Sequence, residues 1–212
     1  MIKLVAFDLD GTIGETLPLC IAAFGEAVSP YLSYKLSEKE IIQTFGVNEE
    51  GMVKKVAGEH WQEALNDFYM HYQKMHAICP KPFEGIKEWI SELKQRNIIP
   101  ALVTGKGERS CQITLRQFEM ADCFDAIETG SPDKNIKAEA LLSLSDRYKL
   151  QLSQIVYVGD TVSDVISCNQ VGVKCFSAGW AKSADLKLLE ECNEGRVFRT
   201  VQSLISVLNL EF

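Results

Sequence analysis

Two aspartates, Asp8 and Asp10, follow directly on an apolar run and precede Gly11-Thr12. A carboxylate presented from a strand end is able to act as a nucleophile and form an aspartyl-phosphate or an ester. A second carboxylate two positions on is placed to protonate a leaving group and then to take a proton from water. Taken alone, such a pair serves equally well to cap a turn. Thr104-Gly105-Lys106-Gly107 follows a second apolar run. It offers a hydroxyl and free N–H groups, which suit phosphate or another anion, although an ordinary strand-to-helix turn has the same composition. Gly159-Asp160-Thr161-Val162-Ser163-Asp164 follows a third run. Its two carboxylates suit Mg²⁺, a hard cation that takes oxygen ligands, yet acids at a helix start are favoured by the macrodipole in any case. Lys134 and Lys137 stand just ahead of an expected helix, where a lysine can balance clustered carboxylates and a phosphoryl group.

These groups need elements to hold them. Residues 2–7, 98–103, 124–127, 155–158 and 174–176 are short apolar runs that read as buried strands. Amphipathic or apolar-periodic segments at 83–96, 108–118, 138–148, 162–169 and 203–208 read as helices. Strand alternating with helix implies a parallel sheet covered on both faces. The expectation is an α/β fold, a Rossmann-like doubly wound parallel sheet. Residues 14–79 differ: Leu17, Ile21 and Phe24 have helical spacing, Ser37-x-x-Glu40 is a capping box, and Trp61, Leu65, Phe68 and Tyr72 form another stripe. No strand is expected there, so the segment reads as an all-helical insertion, with residues 1–13 and 80–212 making the core. Asp8 and Asp10, Thr104, and Asp160 with Asp164 all fall at the carboxyl ends of expected strands, where open α/β sheets bind their ligands.

Composition narrows the possibilities. The chain has 212 residues, 46% of them apolar and 24% charged, an ordinary globular balance. A chain of this length buries about 70% of its unfolded surface, enough for a core without disulfide or metal staples. The longest uncharged stretch, residues 200–210, has eleven residues, whereas a membrane span needs about 20. Asp8 and Asp10 interrupt the N-terminal apolar run before a signal-peptide core forms. Seven cysteines without a C-x-x-C pair imply reduced thiols and a cytoplasmic setting. The net charge of −7 argues against nucleic acid as a partner, because counterion release needs clustered Lys and Arg.

The ordered set of Phe7-Asp8-Leu9-Asp10-Gly11-Thr12, Val103-Thr104-Gly105, the Lys134/Lys137 region and Gly159-Asp160-Thr161-Val162-Ser163-Asp164 resembles the haloacid dehalogenase-like hydrolase superfamily. Within it the chain is similar to the phosphoglycolate phosphatase-like branch, whose small helical cap is inserted after the first strand; residues 14–79 match that cap in position and length. The resemblance implies a Mg²⁺-dependent phosphatase acting on a small phosphorylated metabolite through an aspartyl-phosphate, as a monomer or homodimer. It implies Asp8 as nucleophile and Asp10 as general acid/base. Asp8, Asp10 (through its carbonyl), Asp160 and Asp164 would hold the metal. Thr104 with Gly11, Gly105 and Lys106 would bind the phosphoryl group. The chain departs from the family pattern at Gly105, where Asn or Ser is common, and in lacking the usual Lys-Pro pair. Lys134 better preserves the spacing to Asp160, while Lys137 better matches the start of the helix and is preferred as the active-site lysine. Asp10 sets dehalogenases and phosphonatases aside. A phosphomutase also keeps both aspartates and remains the alternative within the family. A non-enzymatic phosphorylation switch is the alternative outside it, although such receiver domains are shorter and lack the helical insertion.

Overall fold

The structure is a computed structural model and describes residues 1–209; residues 210–212, the end of the expected core, lie outside the described residues. In chain order the elements are β1 (Leu4–Phe7), α1 (Leu17–Val28), α2 (Glu38–Ile42), α3 (Glu49–Ala57), α4 (Trp61–Lys74), α5 (Ile86–Gln95), β2 (Ile99–Val103), α6 (Glu108–Gln117) and β3 (Ala126–Glu128). They continue with α7 (Lys137–Tyr148), β4 (Ile155–Gly159), α8 (Val162–Val171), β5 (Lys174–Ala178), α9 (Leu186–Cys192), β6 (Val197–Phe198) and α10 (Val201–Leu208).

The six strands form one parallel sheet in the order β3-β2-β1-β4-β5-β6. Successive strand side chains alternate between two apolar layers, the arrangement a sheet covered on both faces requires. Val5 and Phe7 pack with Trp89 and Leu93 of α5, Leu115 of α6 and Leu204 of α10. Leu4 and Ala6 pack with Leu141 and Leu144 of α7 and Val165 of α8. The chain winds outward from β1 to β3, then crosses back to β4. This makes the carboxyl ends of β1 and β4 the topological switch point, where doubly wound sheets open a binding crevice.

Between β1 and α5 the chain is helical and carries a hydrophobic cluster of its own. Leu19 and Phe24 of α1, Ile41 of α2, Val53 of α3, and Phe68 and Tyr72 of α4 belong to it. Ser37 caps α2 as its spacing predicts: its hydroxyl accepts from Glu40 N–H while the Glu40 carboxylate accepts from Ser37 N–H.

Two elements escape the sequence reading. α9 and the two-residue β6 are short, and β6 exists because Ser177 and Gly179 on β5 and just beyond it donate to the carbonyls of Arg196 and Phe198. α10 begins two residues earlier than its apolar pattern implies, because the Thr200 hydroxyl accepts from Ser203 N–H and caps it. Among the described residues no helix is long and apolar enough to cross a membrane. All seven cysteines are free.

Candidate active site

Asp8 leaves β1 with its backbone N–H donating to the Val158 carbonyl of β4 at 2.9 Å, so the sheet itself fixes it. Its side chain is buried. Oδ1 accepts from Leu9 N–H at 2.8 Å and Oδ2 from Lys137 Nζ at 2.8 Å. Burial raises the Asp8 carboxyl to about 6, against the opposing pull of Lys137 and with help from Asp164. The turn that follows needs Gly11, which has a φ of 73°. A Cβ there would lie 2.0 Å from Asp160 Oδ2, so the glycine is what lets the ends of β1 and β4 meet.

Asp160 follows β4 and faces Asp8. Its Oδ1 is buried and has no hydrogen-bond partner. Burial, then the neighbouring Asp8 and Asp164, raise its carboxyl well above the usual range. Oxygens of Asp8, Asp160 and Asp164 all lie within 4.8 Å of one another. A buried orphan oxygen in an all-carboxylate cluster is what a hard cation would satisfy, so these residues fit Mg²⁺. Asp164 shares the cluster, but both of its oxygens are engaged. Oδ1 accepts from Lys137 Nζ at 2.5 Å and Tyr157 Oη at 3.2 Å, while Oδ2 accepts from Thr161 N–H at 2.9 Å and Thr161 Oγ1 at 2.7 Å, closing the capping box of α8.

The two candidate lysines are separated by the structure. Lys137 starts α7, is buried, and bridges Asp8 and Asp164. Burial opposes its charge, but Asp164 and Asp8 outweigh that and raise its pKa. Lys134 lies at the cavity mouth, 60% exposed in its side chain, and pairs with Glu139 at 2.5 Å.

Asp10 sits beyond the strand. Its Oδ1 accepts from the Thr16 hydroxyl and lies 3.4 Å from Lys106 Nζ. Thr104 is fully buried at the end of β2, and its Oγ1 accepts from Lys106 N–H at 3.2 Å. Its turn is pressed against Gly130, whose N–H donates to the Lys106 carbonyl at 2.6 Å and whose Cβ, if present, would lie 1.9 Å from the Gly105 carbonyl oxygen.

Lys106 belongs to this turn, yet its side chain is turned inward. Nζ lies 3.5 Å from Glu49 Oε1, 3.0 Å from Cys20 Sγ and 4.4 Å from the centre of the Tyr72 ring. Burial disfavours the ammonium, but Asp10, Cys20, Tyr72 and Glu49 reverse that and raise its pKa well above the usual value. Burial pushes the Cys20 thiol up to about 12, so it stays protonated beside the lysine.

Glu49 was not among the residues that spacing singles out. It opens α3, and nothing distinguishes it in sequence from Glu50 beside it. In the fold it is buried against the start of α6, where Oε2 accepts from Gly107 N–H at 2.7 Å and Oε1 from Ser110 Oγ at 2.5 Å. Next to it, Asn48 donates through its backbone N–H to Ser131 O at 2.9 Å and through Nδ2 to Gly130 O at 3.0 Å. A Cβ on Gly51 would lie 2.2 Å from the Pro132 carbonyl oxygen. The start of α3 is thus fastened to the turns after β2 and β3.

A second fastening is a buried polar chain. Cys79 O accepts from His76 Nδ1 at 2.9 Å, which fixes the proton on Nδ1. Nε2 therefore accepts from the Thr114 hydroxyl at 3.0 Å, and Thr114 accepts from Tyr72 Oη–H at 2.7 Å. Burial lowers the His76 pKa.

A cavity of about 470 Å³ opens onto Asp8, Asp10 and Asp160. Lys35, Lys39, Lys54 and Lys55 do not line it. Lys35 pairs with Glu26 and Lys54 with Glu50, and Lys55 donates to the Thr44 carbonyl at 2.9 Å.

A family model described as haloacid dehalogenase-like hydrolase matches residues 5–178. A relative from Caldanaerobacter subterraneus subsp. tengcongensis, which carries the provisional name pyrophosphatase PpaX, is 30% identical over 85% of this chain and 83% of its own. A phosphoglycolate phosphatase of Synechococcus elongatus is 23% identical over 89% of each chain. A crystal structure from Haemophilus somnus 129PT, described as a predicted phosphoglycolate phosphatase, superposes with a TM-score of 0.80 at 19% identity, covering 100% of this chain and 98% of that one.

Proposed function

Since the chain belongs to the haloacid dehalogenase-like hydrolase family, we propose that it is a Mg²⁺-dependent phosphatase that hydrolyses a small phosphorylated metabolite through an aspartyl-phosphate on Asp8. The observation that carries the reading is the setting of Asp8: one oxygen on Lys137, the orphan oxygen of Asp160 beside it, and Asp10 two residues on.

Asp8 and Asp160 would hold Mg²⁺, with the Asp10 carbonyl, and Asp164 behind them through Lys137. The metal would offset the charge of the phosphoryl oxygens and let a phosphate monoester approach three aspartates. In the first step the Asp8 carboxylate forms a bond to phosphorus and the bond from phosphorus to the ester oxygen breaks. Asp10 gives its proton to that oxygen. Thr16 and Lys106 hold Asp10 through Oδ1, which leaves Oδ2 for the exchanged proton. Thr104, Gly11, Gly105 and Lys106 would bind the phosphoryl oxygens, and of these Gly105 and Lys106 line the cavity. In the second step a water loses a proton to Asp10 and attacks phosphorus, and Asp8 departs as carboxylate. Lys137 lowers the energy of the charge that collects around Asp8 in both steps.

Residues 14–79 act in this scheme as a helical cap over a core of residues 1–13 and 80–212, turning about Gly14 and Pro80–Pro82. Their separate hydrophobic cluster supports the division. Closure would keep bulk water out during the first step. The enzyme would work in the cytoplasm as a monomer or homodimer. Pyrophosphate and phosphoglycolate, which the relatives' names carry, are the first phosphoryl donors to compare.

Single-turnover quenching with ³²P-labelled p-nitrophenyl phosphate tests the reading. The expected result is label on Asp8 that base releases as phosphate. Label on another residue, or turnover with no labelled protein in either the native enzyme or a variant slowed in the second step, would refute it.

A further inference from the structure

The cavity above Asp8 has two unlike ends. The end formed by the strand termini is crowded with charge. The other is built by residues 42–52 and the helices behind them, and its wall is Ile42, Phe45, Val47 and Met52, with Leu17 and Phe68. Displacement at phosphorus runs in line, so the leaving group points away from Asp8 and towards that second wall.

Charge gives an independent observation. Among the described residues three cations line the cavity: Lys106, Lys134 and Lys137. Each is already matched: Lys106 by Asp10 and Glu49, Lys134 by Glu139, Lys137 by Asp8 and Asp164. Where the apolar wall meets the charged end, the residue presented is the buried acid Glu49. A second anionic group on the substrate would lose its water, find no unmatched cation and face a carboxylate, a costly way to bury a charge. An apolar group would instead displace water from the wall, which favours binding in proportion to the apolar area buried.

We infer that the site selects phosphoric monoesters whose alcohol part is uncharged and apolar, over phosphoglycolate and over pyrophosphate. The inference rests on the phosphatase reading above, and the experiment separates the two. Phosphate release by the purified protein with Mg²⁺ is measured for ethyl phosphate, n-hexyl phosphate, 2-phosphoglycolate, pyrophosphate and p-nitrophenyl phosphate. Ethyl phosphate and phosphoglycolate differ by a methyl in place of a carboxylate. The expected order in kcat/KM is hexyl above ethyl, and ethyl above phosphoglycolate, each by about tenfold or more. Phe45→Lys, which sets an unmatched cation in the wall, should lower the hexyl-to-phosphoglycolate ratio by about tenfold or more. A wild-type kcat/KM for phosphoglycolate or pyrophosphate above that for hexyl phosphate, or an unchanged ratio in Phe45→Lys, overturns the inference and leaves the phosphatase reading standing. Release from none of the five compounds overturns the phosphatase reading itself.

Discussion

Lys137 Nζ lies 2.8 Å from Asp8 Oδ2, a contact between residues 129 positions apart in the chain. It joins the first residue of α7 to the residue after β1, and the same ammonium reaches Asp164 at 2.5 Å. Two of the three clustered carboxylates, Asp8 and Asp164, therefore share one buried cation.

Lys137→Met should remove that cation and leave the carboxylates uncompensated. Breaking a buried ion pair in this way typically costs about 3–5 kcal/mol. Turnover of p-nitrophenyl phosphate should fall by at least about 10²-fold, the loss of one preorganised electrostatic partner. Lys134→Met removes only an exposed pair, and should change stability by less than about 1 kcal/mol. Urea unfolding and steady-state kinetics on both variants check this; equal effects of the two would reject the assignment of Lys137.

Asp8→Asn should abolish turnover, since an amide does not attack phosphorus. Asp10→Asn should slow it by about 10²–10⁴-fold. With p-nitrophenyl phosphate, whose leaving group needs little protonation, the first step of the Asp10→Asn variant should be partly spared and the phospho-enzyme should accumulate. Rapid quench reads this directly. Wild-type steady-state turnover in Asp10→Asn would contradict the role given to it.

Chelation should stop the reaction, and added Mg²⁺ should restore it. The same ion should raise the melting temperature of the wild-type protein in the absence of substrate, because binding to the folded state alone stabilises it. Asp160→Asn should lose most of that rise, as its unpartnered oxygen is the one the proposed ion would engage. Full activity in excess EDTA would sink the metal assignment.

His76 should make stability sensitive to acid. Its pKa is lowered in the fold, so below the ordinary value of about 6.5 the unfolded chain binds the proton that the folded chain resists. Its contribution is complete above that value and is lost as pH falls towards the folded pKa. The groups around it are Tyr72, Thr114, the Cys79 carbonyl and the Phe118 ring, with Lys106 and Asp10 as the charges. Asp8 works in the opposite sense, because its raised carboxyl favours the folded state as pH drops through about 6. The measurement is therefore a difference: urea midpoints of wild type and His76→Gln between pH 7.5 and 5. The wild type should lose more stability than the variant over that interval; parallel curves would exclude His76 as the cause.

Much of the catalytic end could be read from the chain because it depends on local order. An apolar run followed at once by Asp8, Thr104 or Asp160 places each at a strand terminus, and a parallel sheet aligns those termini without further information. Residues 83–96 and 138–148 betray their helices by a buried stripe, observed as α5 and α7. What stayed hidden depends on contacts between distant segments. Lys106 looks like one more residue of a phosphate-binding turn until Cys20, 86 positions away, and Glu49 are brought against its side chain. Glu49 meets Gly107 across 58 positions, and no spacing rule connects them. Lys134 and Lys137 are told apart by which one faces inward at the start of α7, a matter of a few residues of register that the Asn135 side chain helps to set by accepting from Lys137 N–H at 2.9 Å. α9 and β6 are too short to carry a period.

Residues 42–52 combine two jobs in one stretch of chain. Asn48, Glu49 and Gly51 fasten it to the turns after β2 and β3, while Ile42, Phe45, Val47 and Met52 face the cavity. Asn48 and Glu49 also line the cavity, but the four apolar lining residues make none of the fastening hydrogen bonds. Selectivity is therefore free to diverge while the reaction stays the same: the four lining positions can be exchanged as a set, provided the three anchors are inherited unchanged. A descendant with new taste and old chemistry is one short segment away, and in the laboratory that segment is the natural unit to graft between relatives.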